Sequence, residues 1–186
     1  MTHPHFYEDI QGWFNFASAY REAVQKADPG SVFVEVGSWK GRSAAFMAVE
    51  IANSGKEISL HCVDHWCGSD EDAHHADPDR ANLFDVFKKN LQNAPIQPEI
   101  HREDSVIAAG RFKDKSVDFI WIDAGHDYDS VKADILAWWP KLRPGGTMGG
   151  DDLPMDGVFQ AVTEIFPHYD AGNETGWSWW RVRKGA

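Results

Sequence analysis

Short apolar runs of strand length alternate along this chain with longer segments whose apolar residues recur every three or four positions. This alternation constrains the fold more than any other feature. Ser31–Val36 is a β-branched and aromatic run, followed by a glycine-containing turn and a helical stretch from Arg42 to Asn53. The pattern repeats as a strand at Ile58–Asp64, a helix around Arg80–Asn93, a short strand near Glu99–His101 and a short helix after Ser105. Val117–Asp123 is apolar almost up to its final acid, as expected for a parallel strand covered on both faces. A helix at Asp127–Trp139, a type II turn at Arg143–Gly146, a strand at Thr147–Gly150 and a helix at about Gly157–Phe166 come next. Trp177–Arg183 alternates weakly and reads as an antiparallel edge strand. Repeated βα units closing on such a strand predict a doubly wound, three-layer α/β sandwich with a mostly parallel sheet.

The flanks are less regular. Ile10, Trp13, Phe14, Ala17, Tyr20 and Val24 recur at helical spacing, predicting one N-terminal helix from Glu8 to Lys26 whose exposed face could support a homodimer. Residues 67–79 lack a period and read as a loop or lid-like insertion, with His65, Trp66, His74 and His75 either lining or covering an acceptor pocket or belonging to a solvated polar loop. The 186 residues suit a single domain, and the net charge of −11, with scattered Lys and Arg, argues against nucleic acid as a partner. No apolar run has membrane-spanning length and no secretory signal is visible, so a cytoplasmic protein with Cys62 and Cys67 reduced is expected.

Ligands of open α/β sheets bind outside the carboxyl ends of the strands. Here those ends carry Glu35, Asp64, Asp104, Asp123 and the pair Asp151-Asp152. Any one of them could be a helix cap; acids at five successive strand exits suggest a site. The first turn, Glu35 to Ser43, matches neither a dinucleotide fingerprint nor a phosphate loop, so a pyrophosphate cradle is disfavoured. Its glycines, Gly37 and Gly41, would let a ligand approach the backbone, and Glu35 would favour a cationic one. Asp64 is placed to accept hydrogen bonds from ribose hydroxyls.

The segments EVGSWKGRS, CVDHW, FIWIDAGHDY and LRPGGTMGGDD resemble the successive motifs of class I S-adenosylmethionine-dependent methyltransferases, specifically the metal-dependent small-molecule O-methyltransferases related to catechol and macrolide-sugar enzymes. The resemblance spans roughly residues 31 to 152. It implies a Rossmann-like fold with a seven-stranded sheet and an antiparallel last strand. It also implies that Glu35, Gly37, Ser38, Gly41 and Ser43 contact the methionine part of the cofactor, Asp64 its ribose, and Asp104 and Ser105 its adenine, with Trp39 beside that pocket. Asp123, which also borders the cofactor, joins Asp151 and Asp152 as ligands of Mg²⁺ or another divalent cation.

On this reading the metal binds a small hydroxylated acceptor, lowers its hydroxyl pKa and holds the oxyanion in line with the sulfonium methyl. In the sugar-modifying branches an acid two residues after the first metal ligand acts as base, but here that position is Gly125. His126 aligns with the catalytic lysine of the catechol enzymes and becomes the candidate base, the alternative being that it donates to a nearby carboxylate or caps the helix Asp127–Trp139. Alternatives are a metal-independent methyltransferase and a non-catalytic cofactor-binding or interaction protein. A zinc site among His61, Cys62, Asp64, His65 and Cys67 is disfavoured, because strand alternation turns His61 away from Cys62 and Asp64 and no second ligand pair follows at structural-zinc spacing.

Overall fold

The computed structural model describes residues 2–69 and 75–185, so His74 and the centre of the expected lid lie outside the described residues. Its strands are β1 (Ser31–Val36), β2 (Ile58–Asp64), β3 (Glu99–Arg102), β4 (Val117–Ile122), β5 (Leu142–Gly150), β6 (Asp170–Glu174) and β7 (Trp177–Arg183). They form one sheet in the order β3-β2-β1-β4-β5-β7-β6. The first five run parallel; β7 is antiparallel to both β5 and β6. Among the described residues the α-helices are α1 (Ala17–Lys26), α2 (Arg42–Ser54), α3 (Leu83–Leu91), α4 (Ser105–Ala109), α5 (Tyr128–Trp138) and α6 (Asp156–Ile165).

Strand alternation divides the core into two layers. Phe33, Leu60, Cys62, Phe119 and Trp121 pack with α1, α2 and α3 on one face. Val34, Val36, Val63, Ile120 and Ile122 pack with α4, α5 and α6 on the other. The doubly wound sandwich therefore stands as expected. Since β2 and β4 flank β1 on opposite sides, the chain winds outward in both directions from β1, leaving a crevice at the carboxyl ends of β1 and β4.

Three expectations need correction. The N-terminal helix does not run from Glu8 to Lys26: a short 3-10 turn at Tyr7–Asp9 is followed by non-helical chain, and α1 begins at Ala17. Gly12 is a poor helix former with φ +154, and the Ile10 carbonyl accepts a hydrogen bond from Arg42 Nη1 at 3.0 Å. Trp13 and Phe14 then serve different surfaces, with Trp13 stacked on Trp39 and Phe14 packed among Tyr7, Phe16 and Phe46. Trp177–Arg183 is not an edge strand, because β6 covers it. Its residues Asp170–Glu174 carry no apolar alternation, and Gly172 fits beneath the indole of Trp179, where a Cβ would come within 2.0 Å. The segment Arg143–Gly146 keeps its turn character, with Gly145 at φ +78, but it forms a register shift inside β5 instead of preceding the strand.

The turn after β1 carries a buried cation. Lys40 Nζ lies 2.6 Å from Gln11 Oε1, 2.8 Å from Asp77 Oδ1 and 2.7 Å from Asp79 Oδ2. One ammonium thus ties the first βα turn to both the N-terminal segment and the chain after β2. Burial alone would depress its pKa, but the two carboxylates outweigh this and raise it.

Candidate active site

Asp123 follows β4, and its N–H donates to the Val36 carbonyl at 2.8 Å. Asp151 follows β5, with its N–H 3.3 Å from the Ile122 carbonyl. Asp152 then takes a left-handed backbone, φ 56, which an aspartate tolerates better than most residues. Its Oδ2 lies 2.8 Å from His126 Nε2, and its Oδ1 accepts from the Trp177 indole at 2.7 Å. Ligand-type atoms of Asp123, His126 and Asp152 all lie within 4.8 Å of one another.

This crowding perturbs the acids. Burial, followed by the charges of Asp151 and Asp152, drives the Asp123 carboxyl well above the usual carboxylate range. Burial and the Asp152 charge push Asp151 to about 7. Burial also opposes ionisation of Asp152, but the hydrogen bond and charge of His126, with the Trp177 indole, hold it low. Asp151 Oδ1 is buried and has no hydrogen-bond partner. Mutually repelling carboxylates and an unsatisfied buried oxygen are what a divalent cation relieves, so the donor set fits one. Sequence reasoning grouped Asp151 with Asp123 and Asp152; the tightest trio instead contains His126, with Asp151 adjoining it.

Two cavities meet at this point. One, of about 570 Å³, is lined by Trp13, Asn15, Trp39, His126, Asp152 and Trp177 among others. The second, of about 470 Å³, is lined by Asp64, His65, Asp104, Ser105, Ser130 and Asp134 among others. Gly37, Trp39, Asp123 and Ala124 border both, so the indole of Trp39 and the end of β4 form the partition. Ser38, Ser43, Asp151 and Asp152 face the larger cavity. Among the described residues, Glu35 and Gly41 line neither.

Glu35 is buried beneath the turn, accepting from the Tyr20 hydroxyl at 2.8 Å, with its Oε1 unpartnered. Gly41, at φ +86, leaves a Cβ only 3.0 Å from the Phe87 ring. Gly37 serves chain packing more directly: a Cβ there would lie 2.0 Å from the Asp123 carbonyl oxygen. Asp64 accepts from the backbone N–H groups of Ser38, Trp39 and Trp66 at 3.1, 2.9 and 2.6 Å. It therefore anchors the unusual left-handed backbones of Trp39 and Trp66 as well as facing the smaller cavity. Trp66 itself packs into the core against Phe84 and Phe87.

Asp104 caps α4, its Oδ1 accepting from Val106 and Ile107. Ser105 Oγ accepts from the Trp138 indole at 2.9 Å. Behind them Asp134, buried on α5, is pushed to about 6 by burial against the opposing hydrogen bond of Ser105. Asp134, Trp177, Asn15 and Lys40 were not singled out from the sequence. An acid on the apolar face of α5 was a readable signal for Asp134, whereas Asn15 and Trp177 are brought to the larger cavity by long-range packing and Lys40 sits in the first βα turn without lining either cavity.

The two cavities share a partition at the carboxyl ends of β1 and β4, where open α/β sheets bind their ligands. Residues 34–153 match the family model described as a methyltransferase domain, and the chain belongs to that family of S-adenosylmethionine-dependent methyltransferases. It is 26% identical over 144 residues to the uncharacterised protein y4gI of Sinorhizobium fredii, covering 77% of this chain and 15% of that protein. This chain thus corresponds to a small part of that relative. Among solved structures, the O-methyltransferase NovP superposes with TM-score 0.64 at 15% identity, covering 91% of this chain and 79% of that one. A Streptococcus thermophilus rRNA methylase gives TM-score 0.65 at 13% identity, covering 95% and 99%. These likenesses are of fold.

Proposed function

We propose that the chain transfers a methyl group from S-adenosylmethionine to a hydroxyl of a small acceptor with the help of a divalent cation such as Mg²⁺. The carrying observation is the cluster of Asp123, His126 and Asp152, with Asp151 alongside, on the wall of the larger cavity. Its size suits a small molecule, and the net charge of −11 disfavours a nucleic-acid strand. The O-methyltransferase likeness of NovP supports the reading.

Asp64, Asp104 and Ser105 would hold the nucleoside of the cofactor, while Ser38 and Ser43 would face its methionine end. The cofactor supplies an electrophilic methyl group. Asp123, Asp151 and Asp152 would hold the cation, which supplies positive charge that favours the ionised form of an acceptor hydroxyl. His126 would take the hydroxyl proton at Nε2 once that nitrogen is released from Asp152, whose carboxylate would then be free to hold the cation. Trp39 positions the acceptor against the partition and excludes water from it.

Titration calorimetry with S-adenosylmethionine, with and without Mg²⁺, combined with methyl-transfer assays on hydroxylated small molecules, tests this reading. Cofactor binding and Mg²⁺-stimulated transfer are expected. Cofactor binding with transfer indifferent to Mg²⁺ and to chelator would support the metal-independent alternative, and absent cofactor binding would reject the assignment altogether.

A further inference from the structure

On the far side of the smaller cavity, β3 forms the exposed edge of the sheet. His61 of β2 pairs directly with Glu99 of β3, and His101 stands two residues further along β3. Direct partners, and residues two apart on one strand, lie on the same sheet face, so the ladder itself gathers all three side chains. His61 Nδ1 lies 3.1 Å from His101 Nε2 and 3.5 Å from Glu99 Oε2. The ligand atoms of the three residues are within 4.8 Å of one another.

The two imidazoles are within hydrogen-bond distance of each other, and the same spacings suit a shared metal ion. Two ligands about 2.0–2.1 Å from a tetrahedral zinc ion stand about 3.3 Å apart, and both spacings from His61 Nδ1 lie close to that edge length. Two imidazoles and one carboxylate are also a donor set suited to zinc and poorly suited to Mg²⁺. Phe112 packs against both imidazoles, with ring centroids 5.1 Å from His61 and 5.4 Å from His101, restricting their orientations. Burial, the largest influence on each, depresses the pKa of both rings. Glu99 is exposed, so an ion can reach the group from solvent.

We propose that His61, Glu99 and His101 form a second metal site, separate from the Asp123 cluster, that binds a zinc-type divalent ion and staples the edge strand β3 to β2. The strand alternation that separates His61 from Cys62 and Asp64 turns it toward ligands supplied by the neighbouring strand. Binding there requires no acceptor, cofactor or turnover. Its structural effect is to hold β3 and the Asp104–Ser105 segment that follows it.

The experiment titrates Zn²⁺ into chelator-stripped full chain by calorimetry, with thermal unfolding recorded in parallel. The variants are His101→Ala, Glu99→Gln and, to remove the other cluster, Asp152→Asn. The wild type is expected to bind with micromolar or tighter affinity and gain roughly 5 °C in Tm at saturating zinc. His101→Ala should lose one equivalent of zinc and that gain, while Asp152→Asn should keep both. Glu99→Gln changes an exposed side chain and preserves the fold, so at least about tenfold weaker binding is expected even if His101→Ala fails to fold. Zinc binding unchanged in Glu99→Gln, lost in Asp152→Asn or absent from the wild type would overturn the proposal.

Discussion

His126 and Asp152 are joined through Nε2 and Oδ2 at 2.8 Å, although Asp152 would also be a ligand of the proposed cation. One carboxylate thus serves an imidazole that could take a proton and a charge cluster that could hold a metal. The left-handed backbone at Asp152 and the Trp177 indole bond position that carboxylate between the two roles.

If His126 is the base, His126→Ala should lower kcat by about 10²–10⁴-fold while leaving the S-adenosylmethionine Kd within a factor of two or so. His126→Gln retains a polar side chain but cannot accept a proton at neutral pH, and it should be equally slow. Single-turnover transfer rates paired with cofactor titrations check this. A normal rate in His126→Gln would leave the imidazole with only an orienting role.

Lys40 and Asp77 form a buried pair at 2.8 Å, each side chain 2% exposed. Lys40→Met should cost about 3–5 kcal/mol, because Asp77 is left charged in a dry setting. The double variant Lys40→Met/Asp77→Leu should recover much of that loss. Urea unfolding of the single and double variants checks the pair. Because Gln11 shares the ammonium, the folded fraction of Lys40→Met should also show a raised acceptor KM through loosening of the segment carrying Trp13 and Asn15.

The parallel core was legible because each of β1, β2 and β4 is an apolar run with a helical period behind it, and the acids at their exits were legible because strand ends bind ligands. Local periodicity could not see that Gly12 breaks the apparent helix from Glu8, since Trp13 and Phe14 hold helical spacing while packing on different partners. It also missed β6, whose place depends on Trp179 covering Gly172 and on no pattern of its own. His126 was legible through its position after Asp123, whereas its bond to Asp152 depends on β4 and β5 ending side by side. Likewise, no reading of β2 alone could bring His61 to Glu99 and His101; that requires the β2–β3 register.

Asp134 gives a pH dependence of defined sign. Its carboxyl is raised from 3.8 to about 6, chiefly by burial. Between those values the folded chain retains a proton that the unfolded chain has released, so stability falls as pH rises through the window and the loss is complete above about pH 6. Asp134→Asn removes this dependence. It should be more stable than wild type at pH 7.5 by at most about 3 kcal/mol, with the advantage vanishing near pH 4. Urea unfolding of the cofactor-free proteins at the two pH values checks it; an equal stability difference at both would reject the assigned shift.

Gly37 makes the strongest demand on residue identity. Its φ of +87 is strained for any side chain, and its missing Cβ makes room for the backbone at Asp123 and Ala124. Gly37→Ala would place a carbon 2.0 Å from the Asp123 carbonyl oxygen and 2.8 Å from Ala124 Cα. Backbone atoms cannot rotate aside as a flexible side chain can, so the first βα turn and the end of β4 must separate. That separation should destabilise the chain by about 2–4 kcal/mol through overpacking and backbone strain. It should also disturb both cavities, because Gly37 and Asp123 border each. Protein that still folds should therefore show a weaker S-adenosylmethionine Kd and a reduced kcat together. Unfolding and calorimetry on the same preparation check this, and an alanine variant with wild-type stability and cofactor affinity would contradict the close backbone packing at the partition.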